Sequence, residues 1–306
     1  MKTDILLTGA SGFLGKVIYE VLSSQHLITT VGRGPAVANG GHLTADFSKE
    51  LITGLPDVDC VIHCAGKAHS VPKTEEEKES FFQVNYRGTV NLCQSLQQEG
   101  KVPRSFIFIS TVAVYGKEEG VLISEDDPLD GTSPYAKSKI MAEEYLQEWA
   151  AVNNVKLGIL RLPLIAGPTP PGNLQAMING IRTGRYLSIG KADARKSMVW
   201  AYDVAMVIPA VAQRGGIYNL TDSRHPSFRE LEYKIAEGLG KKAPLTIPLP
   251  LAKLLALAGD VMGDRFPINT DKLKKITATL TFDDARAKSS LNWRPSPVAE
   301  KIRFVV

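Results

Sequence analysis

The sequence predicts an α/β protein built on a doubly wound parallel sheet, with a smaller, mostly α-helical C-terminal lobe. Apolar strand-like segments alternate with helical patterns through the first half of the chain, an order typical of right-handed strand–helix–strand units. Residues 58–65 (VDCVIHCA) and 105–110 are almost continuously apolar, which indicates strands covered on both faces. A glycine-rich turn follows the first predicted strand, residues 4–7. These observations together predict a Rossmann-type sheet, which binds ligands at the carboxyl ends of its strands.

The length of 306 residues suits one large domain with an added lobe. We expect the dinucleotide-binding domain to comprise residues 1–166 and about 195–225, and the substrate lobe to comprise about 167–194 and 226–306. A formal net charge of +4, without a block of Lys or Arg, gives no indication of nucleic-acid binding.

Cysteine usage and the N-terminus both favour a cytoplasmic protein. Cys60, Cys64 and Cys93 form no metal-ligand pattern, so no metal site is expected. Cys60 and Cys64 lie about 13 Å apart on an extended strand, too far for a disulfide, which fits a reducing compartment. The first residues, MKTDILLTGASG, contain no apolar signal-peptide region and lead directly into the first strand.

The most apolar later stretch is Ile247–Met262, which prolines and charged residues interrupt. It is too short and too interrupted to span a bilayer, so no transmembrane segment is expected. We expect a buried helix of the smaller lobe here, in preference to a helix in peripheral contact with a membrane.

The turn after the first strand carries glycines at three-residue spacing, Gly9, Gly12 and Gly15. A helix that begins here presents backbone N–H groups and the positive end of its dipole to a phosphate. Gly9 permits the tight turn, Gly12 lets a pyrophosphate approach the backbone, and Gly15 lets the helix pack closely on the sheet. A glycine-rich turn without a nucleotide is the alternative, but the strand before it and the helix after it favour dinucleotide binding.

The second predicted strand, residues 27–31, ends in Gly32 and Arg33. An acidic residue at this position would hold the ribose 2′-hydroxyl of NAD, whereas Arg33 offers a guanidinium suited to a 2′-phosphate. We therefore favour NADP(H) slightly over NAD(H), with an exposed loop arginine as the alternative. Asp46, near the end of the third strand, could meet the adenine or cap the following helix.

The residues 110–139 hold the predicted catalytic groups. Tyr135 and Lys139 are four residues apart, so they share one face of the helix expected to begin there. A free tyrosine titrates near ~10, so its anion at neutral pH needs a shift of about 3 units, roughly 4 kcal/mol. We expect Lys139 to lower this pKa and Thr111, at a strand end, to hold a substrate oxygen near the phenol. A Tyr and a Lys at this spacing also occur by chance on many helices.

With these residues established, the chain resembles the extended short-chain dehydrogenase/reductase family of nucleotide-sugar epimerases, dehydratases and ketoreductases. The resemblance covers nearly the whole length, and it depends on the order of several motifs: TGASGFLG, HCAG, Val84–Asn85, STVAVYG, YAKSK, RLPLIAGP, MVWAYDVA and LNWRP.

The resemblance implies a role for each matching position. The family's catalytic Ser/Thr, Tyr and Lys correspond to Thr111, Tyr135 and Lys139. Implied cofactor contacts are Gly9, Ser11, Gly12, Phe13, Leu14, Gly15, Arg33, Asp46, Phe47, Cys64, Ala65, Gly66, Asn85, Ser110, Tyr135, Lys139, Pro163 and Ile165. Implied substrate contacts are Lys67, His69, Thr111, Asn173, Leu174, Arg195 and Lys196.

Two departures from the family pattern narrow the expected reaction. Family 4,6-dehydratases carry an Asp-Glu pair directly after the Thr, where this chain has Val112 and Ala113, so we do not expect dehydration. The Arg-x-x-Asp clamp of many epimerases is replaced near the C-terminus by KLKKITATL. That segment and HCAGKAH resemble the subgroup that reduces UDP-4-keto-6-deoxy-N-acetylhexosamines in polysaccharide synthesis.

We therefore expect hydride transfer at carbon 4 of a UDP- or dTDP-linked sugar, as a 4-keto reductase, with an NAD-dependent 4-epimerase as the alternative. A noncatalytic dinucleotide sensor and a reductase of apolar alcohols are less favoured, because both catalytic residues and the basic pair Arg195–Lys196 are present. The resemblance also implies a homodimer that pairs the helix at 76–98 with the Tyr135 helix. Exposure of Phe81, Leu92 and Leu96 would support that dimer.

Overall fold

The structure is a computed structural model that describes residues 2–34, 38–68, 70–262 and 268–306. Its strands are β1 (Asp4–Thr8), β2 (Leu27–Gly32), β3 (His42–Thr44), β4 (Cys60–His63), β5 (Ser105–Thr111), β6 (Gly120–Ile123), β7 (Lys156–Leu162), β8 (Leu164–Ala166), β9 (Leu187–Ile189), β10 (Met198–Trp200), β11 (Gly216–Asn219), β12 (Leu245–Ile247) and β13 (Leu280–Phe282).

The α-helices are α1 (Phe13–Leu22), α2 (Glu75–Phe81), α3 (Gly88–Gln98), α4 (Pro134–Val152), α5 (Gly172–Arg182), α6 (Ala201–Arg214), α7 (Phe228–Gly238), α8 (Leu249–Met262), α9 (Thr270–Thr277), α10 (Ala285–Leu291) and α11 (Val298–Ile302). A π-helical segment, Phe82–Arg87, joins α2 to α3, and a 3-10 turn, Val112–Tyr115, follows β5.

Seven parallel strands form the main sheet in the order β11-β7-β5-β4-β1-β2-β3. The chain builds outward from β1 through β2 and β3, and then returns to the other side of β1 with β4. This reversal makes a topological switch point between β1 and β4, where open α/β sheets bind ligands. The predicted doubly wound fold is confirmed.

Apolar clusters cover both faces of the sheet. One cluster includes Ile18 of α1 and Val204 of α6, and the other includes Leu92 of α3 and Leu146 of α4. The uninterrupted apolar strands follow from this, because every side chain of β5 is buried.

A third cluster joins α5, α7 and α11, as expected of a separate lobe. Trp293 and α10, however, pack into the cluster that also holds α1 and α6. The proposed division into two domains stays a prediction. Its assignment of residues 226–306 to the lobe does not account for the packing of α10 and Trp293 against α1 and α6.

The long helix expected at 76–98 consists of three segments. Thr74 caps α2, where its side chain accepts the Glu77 N–H, and the π-helical turn then interrupts the α-helical pattern. Phe81, Leu92 and Leu96 are each at most 1% exposed in the single chain. The exposure that would support a dimer through this helix is therefore not found, because these side chains fill the core.

The helix expected at 247–262 is present as α8, but the expectation that it is buried is wrong. Residues 245–247 form β12, and α8 buries only Ala252, Ala256 and Gly259, while Leu251, Leu254 and Leu257 are exposed. Small residues on the inner face let α8 pack closely, so its large apolar side chains remain outside. In the part of the chain that the structure describes, no helix is both long and apolar enough to cross a bilayer.

Candidate active site

The glycine-rich turn brings the end of β1 against the end of β4. Gly9 has a φ of +71°, and a Cβ there would lie 2.6 Å from the Ala65 nitrogen, so both conformation and space require glycine. A Cβ on Gly15 would lie 2.1 Å from the Gly9 carbonyl oxygen. Gly12 is the N-cap of α1, which has no side-chain cap and no acidic residue in its first turn. The first N–H groups of α1 are therefore suited to an anion.

A buried chain of hydrogen bonds fixes this edge of the sheet. The Thr8 hydroxyl lies 2.7 Å from Nδ1 of His63, and Nε2 of His63 lies 3.0 Å from the Thr89 hydroxyl. Thr89 donates to the Asn85 carbonyl, so it accepts from Nε2–H, which makes Nδ1 the acceptor for Thr8. Burial, with a further contribution from Lys139, lowers the pKa of His63 from 6.5 to about 3. The ring is therefore a neutral connector.

Asn85 holds the loop that follows β4. Its side chain accepts the Lys67 N–H at 2.7 Å, donates to the Lys67 carbonyl at 3.1 Å, and donates to the Ser138 hydroxyl at 3.0 Å. Asn85 lies in the π-helical segment, a conformation frequent at functional sites, and is 1% exposed. The side chain thereby ties the β4 loop to helix α4.

Tyr135 and Thr111 come together as predicted. Thr111 ends β5 and Tyr135 lies in the first turn of α4, where the Thr111 hydroxyl is close enough to affect the ionisation of the phenol. Burial raises the pKa of Tyr135 above its ordinary value, and the Thr111 hydroxyl opposes this rise. The expected lowering by Lys139 is not found, because burial dominates. Cys64 contributes to the rise, and burial raises its own pKa to about 11.

Lys139 lies beneath these groups, one helical turn further along α4. Its Nζ donates to the Ile109 carbonyl at 2.8 Å and lies 4.4 Å from the centre of the Phe108 ring. A Cβ on Gly66 would come within 3.3 Å of this ammonium and 3.2 Å of Asn85 Oδ1. Burial lowers the pKa of Lys139 to about 8. Gly66 therefore leaves the ammonium open toward the strand ends.

The sequence reasoning missed a buried ion pair behind this site. Arg161 of β7 approaches Glu143 of α4 at 2.7 Å, and both side chains are at most 4% exposed. Ser110 donates its hydroxyl to Glu143, while Arg161 donates to the Tyr115 hydroxyl at 3.0 Å. Spacing places Glu143 on the same face of α4 as Lys139, which is four residues earlier, but no local pattern points to Arg161 on a different element.

The other predicted cofactor contacts differ in how exposed they are to a ligand. Ser11 and Arg33 are exposed, Pro163 and Ile165 are half-buried, and Phe47 is buried in the core. Asp46 accepts the N–H and hydroxyl of Ser48, so it caps a turn, and no helix follows it directly.

The predicted substrate contacts also differ in exposure and in their hydrogen-bond partners. Asn173 is exposed, but Leu174 is buried in the lobe, so only its backbone could reach a ligand. Arg195 donates to the carbonyl oxygens of residues 224 and 225. Lys196 is half-buried, and burial lowers its pKa. His69 lies outside the described residues. Among described residues, no group of three or more His, Cys, Asp or Glu could hold a metal ion.

A parallel α/β sheet with a Thr at a strand end beside a Tyr, and a buried Lys on the tyrosine's helix, is typical of the short-chain dehydrogenase/reductase class. A family model described as the NAD dependent epimerase/dehydratase family matches residues 5–221. The chain belongs to that family, and the resemblance inferred from its motifs is confirmed.

Relatives of this chain include both epimerases and reductases. An Escherichia coli O157:H7 protein named N-acetyl-alpha-D-glucosaminyl-diphospho-ditrans,octacis-undecaprenol 4-epimerase is 28% identical over 95% of this chain and 90% of its own. The GDP-6-deoxy-D-mannose reductase of Pseudomonas aeruginosa is 28% identical over 78% of this chain and 80% of its own. The solved UDP-glucose 4-epimerase of Thermotoga maritima has a TM-score of 0.77 at 21% identity and covers 99% of this chain and 97% of its own.

Proposed function

We propose that this protein is an NADPH-dependent reductase of a 4-keto sugar carried on a nucleoside diphosphate. The observation that supports this most strongly is the Thr111–Tyr135 pair at the end of β5, with Lys139 buried one turn away beside Gly66. A hydroxyl that can give a proton to a ketone oxygen, next to a dinucleotide turn, suits carbonyl reduction.

The residues present fit a nicotinamide dinucleotide. The uncapped start of α1 suits the pyrophosphate, and Gly9 and Gly66 leave backbone and ammonium groups open at the strand ends. A Cβ on Gly32 would meet nothing within 4 Å, and Arg33 beside it is exposed, so there is room and charge for a 2′-phosphate and we favour NADP(H).

Arg33→Ala should raise KM for NADPH about tenfold and leave KM for NADH nearly unchanged. Arg104→Ala, an exposed arginine at the amino end of β5, is the control.

Bound dinucleotide would supply the hydride that reduces carbon 4. Thr111 holds the sugar oxygen, and Tyr135 gives its hydroxyl proton to that oxygen as the alcohol forms. Lys139 stabilises the phenolate that this leaves, because its ammonium lies on the same face of α4. The raised pKa of Tyr135 keeps the phenol protonated before reaction, which suits an acid in the reductive direction.

The lobe side of the site offers cations for a diphosphate. The Lys196 side chain is half-buried, and its ammonium makes no hydrogen bond or ion pair with the residues that the structure describes. On the sheet side, Lys67 lies on the loop held by Asn85, where its ammonium donates to the Ser80 hydroxyl. An anionic ligand would compensate the burial of Lys196, which supports a diphosphate-linked substrate.

A 4-epimerase is the second candidate, because the relatives include epimerases at an identity comparable with that of the reductase. Such an enzyme would return the hydride to the opposite face of the same carbon and consume no net cofactor. Dehydration is not favoured, because Val112 and Ala113 of the 3-10 turn have no acid or base. We also propose a cytoplasmic location and a homodimer.

Two measurements test this function. NADPH absorbance followed with a UDP- or dTDP-4-keto-6-deoxy sugar should fall in proportion to the alcohol formed, whereas interconversion of 4-epimers without loss of absorbance would identify an epimerase. UDP or dTDP at millimolar concentration should raise the melting temperature by a few degrees. No shift with either nucleotide would count against a nucleotide sugar.

A further inference from the structure

Helix α8 exposes more large apolar side chains than any function proposed above requires. The exposed fractions are 45% for Leu251, 65% for Leu254, 60% for Leu257, 89% for Val261 and 58% for Met262. Isolated exposed leucines are common, but a contiguous set on one helix marks an interaction surface.

These residues lie on one side of α8. At about 100° per residue they fall within an arc of roughly 140°, opposite the arc of Ala252 and Ala256 that packs on α9. The charged side chains of α8, Lys253 and Asp260, lie together between the two arcs. The helix is therefore apolar on an inner face of small residues and on an outer face of large ones.

The chain around this helix is basic. Residues 241–278 contain seven Lys or Arg and three Asp or Glu, so this segment carries an excess of positive charge equal to that of the whole chain, +4. Lys241, Lys242 and Lys253 are exposed. Lys274 and Lys275 share Glu118, at 3.2 and 3.9 Å.

We propose that the outer face of α8 (Leu251, Leu254, Leu257, Val261 and Met262) seats on an anionic lipid bilayer. A helix with an apolar outer face and flanking lysines lies in the plane of the interface, where burial and attraction to anionic headgroups act together. This inference does not depend on the proposed reaction.

A second copy of the chain fits this face less well. A symmetric contact through α8 would bring the same basic segment of each copy together, and like charges would oppose association. Anionic headgroups compensate those charges instead.

The location of α8 would place the substrate lobe near the membrane. Helix α9 packs on α8, and the chain leaving α9 reaches Leu280, which pairs with Lys196. The proposed diphosphate site and the outer face of α8 thus belong to one continuous piece of structure.

The test is co-sedimentation of the full-length protein with phosphatidylcholine vesicles, with and without one third phosphatidylglycerol. Wild type should bind the anionic vesicles, and added salt should weaken the binding. The double variant Leu254→Ser with Leu257→Ser should lower the partition coefficient at least tenfold. Replacing Lys241 and Lys242 by Gln should lower it about fivefold for each charge.

Matched controls distinguish binding by this surface from nonspecific vesicle binding by other exposed apolar residues. Val152→Ser with Met206→Ser removes two other exposed apolar side chains, on α4 and α6, and should leave binding unchanged. NADPH turnover without vesicles should be equal in wild type and the α8 variant, so a failure of the reaction is distinguishable. Absence of binding to anionic vesicles would overturn the proposal, as would equal binding by the leucine variant. A wild-type dimer that the leucine variant dissociates, without vesicle binding, would assign the face to self-association.

Discussion

The carboxyl edge of the sheet and helix α8 contrast in how they are fixed. At the sheet edge, Thr8, His63, Thr89 and Asn85 form an unbroken buried chain of hydrogen bonds. Helix α8 packs through Ala252 and Ala256 and exposes Leu251, Leu254 and Leu257. A catalytic edge needs fixed polar geometry, whereas a surface that receives a partner needs available apolar area. Substitutions at the sheet edge should therefore lower turnover and leave vesicle binding unchanged. Substitutions on the outer face of α8 should lower vesicle binding and leave turnover unchanged.

The largest expected effect is on turnover at the sheet edge. Tyr135→Phe removes the proton donor and should lower kcat by about a thousandfold, with little change in dinucleotide affinity. Tyr145→Phe is the control, because Tyr145 lies on the same helix and has a ring contact with Tyr86. Steady-state kinetics check both variants. Equal turnover by Tyr135→Phe and wild type would remove the catalytic assignment.

Breaking the buried pair behind the site should cost the most stability. Glu143→Ala leaves Arg161 buried without its partner and should lower the free energy of unfolding by about 3–5 kcal/mol. Asp130→Ala breaks the exposed pair with Lys117 and should cost less than about 1 kcal/mol. Urea denaturation measures both. Similar losses in the two variants would show that the buried pair has no special importance.

His63 should make stability depend on pH. The unfolded chain binds a proton at His63 below the ordinary pKa of 6.5, but the native chain does so only near 3, so stability falls as pH drops through this window. Between pH 6.5 and about pH 5, wild type should lose about 2 kcal/mol more than His63→Gln. Parallel pH profiles for wild type and His63→Gln would contradict the neutral, buried ring.

The smallest stability effect is expected on α8. Leu257→Ser should change the free energy of unfolding by at most about 0.5 kcal/mol, because the side chain is already 60% exposed. Ala256→Asp, on the inner face of the same helix, should cost several times more because it buries a charge. Thermal melts compare them. A large loss in Leu257→Ser would mean that the outer face packs against protein.

Local sequence patterns predicted the sheet edge well. The glycine spacing, the continuous apolar strands and the Tyr135–Lys139 spacing each depend on backbone geometry that a few residues determine. Thr111 and Tyr135 therefore came together as expected, although one is on a strand and the other on a helix.

Features that depend on packing partners could not be predicted in the same way. The pKa of Tyr135 depends on how deeply its site is buried, and the π-helical turn at Asn85 depends on the loop that Asn85 holds. The apolar composition of α8 could not reveal which side packs, because Ala252 and Ala256 face inward while the larger Leu254 and Leu257 are exposed. The pairing of Glu143 with Arg161 joins elements distant in sequence.

The most direct test of the central claim is isotope transfer from cofactor to sugar. The protein is incubated with a nucleoside diphosphate 4-keto sugar and NADPH that carries deuterium at the transferable position, and the product is analysed by mass spectrometry. Hydride transfer to the carbonyl predicts one deuterium on carbon 4 of the alcohol. Proton donation by Tyr135 predicts that the rate of labelling falls about a thousandfold in Tyr135→Phe. An alcohol formed without deuterium, or labelled equally fast by Tyr135→Phe, would contradict the proposed reduction.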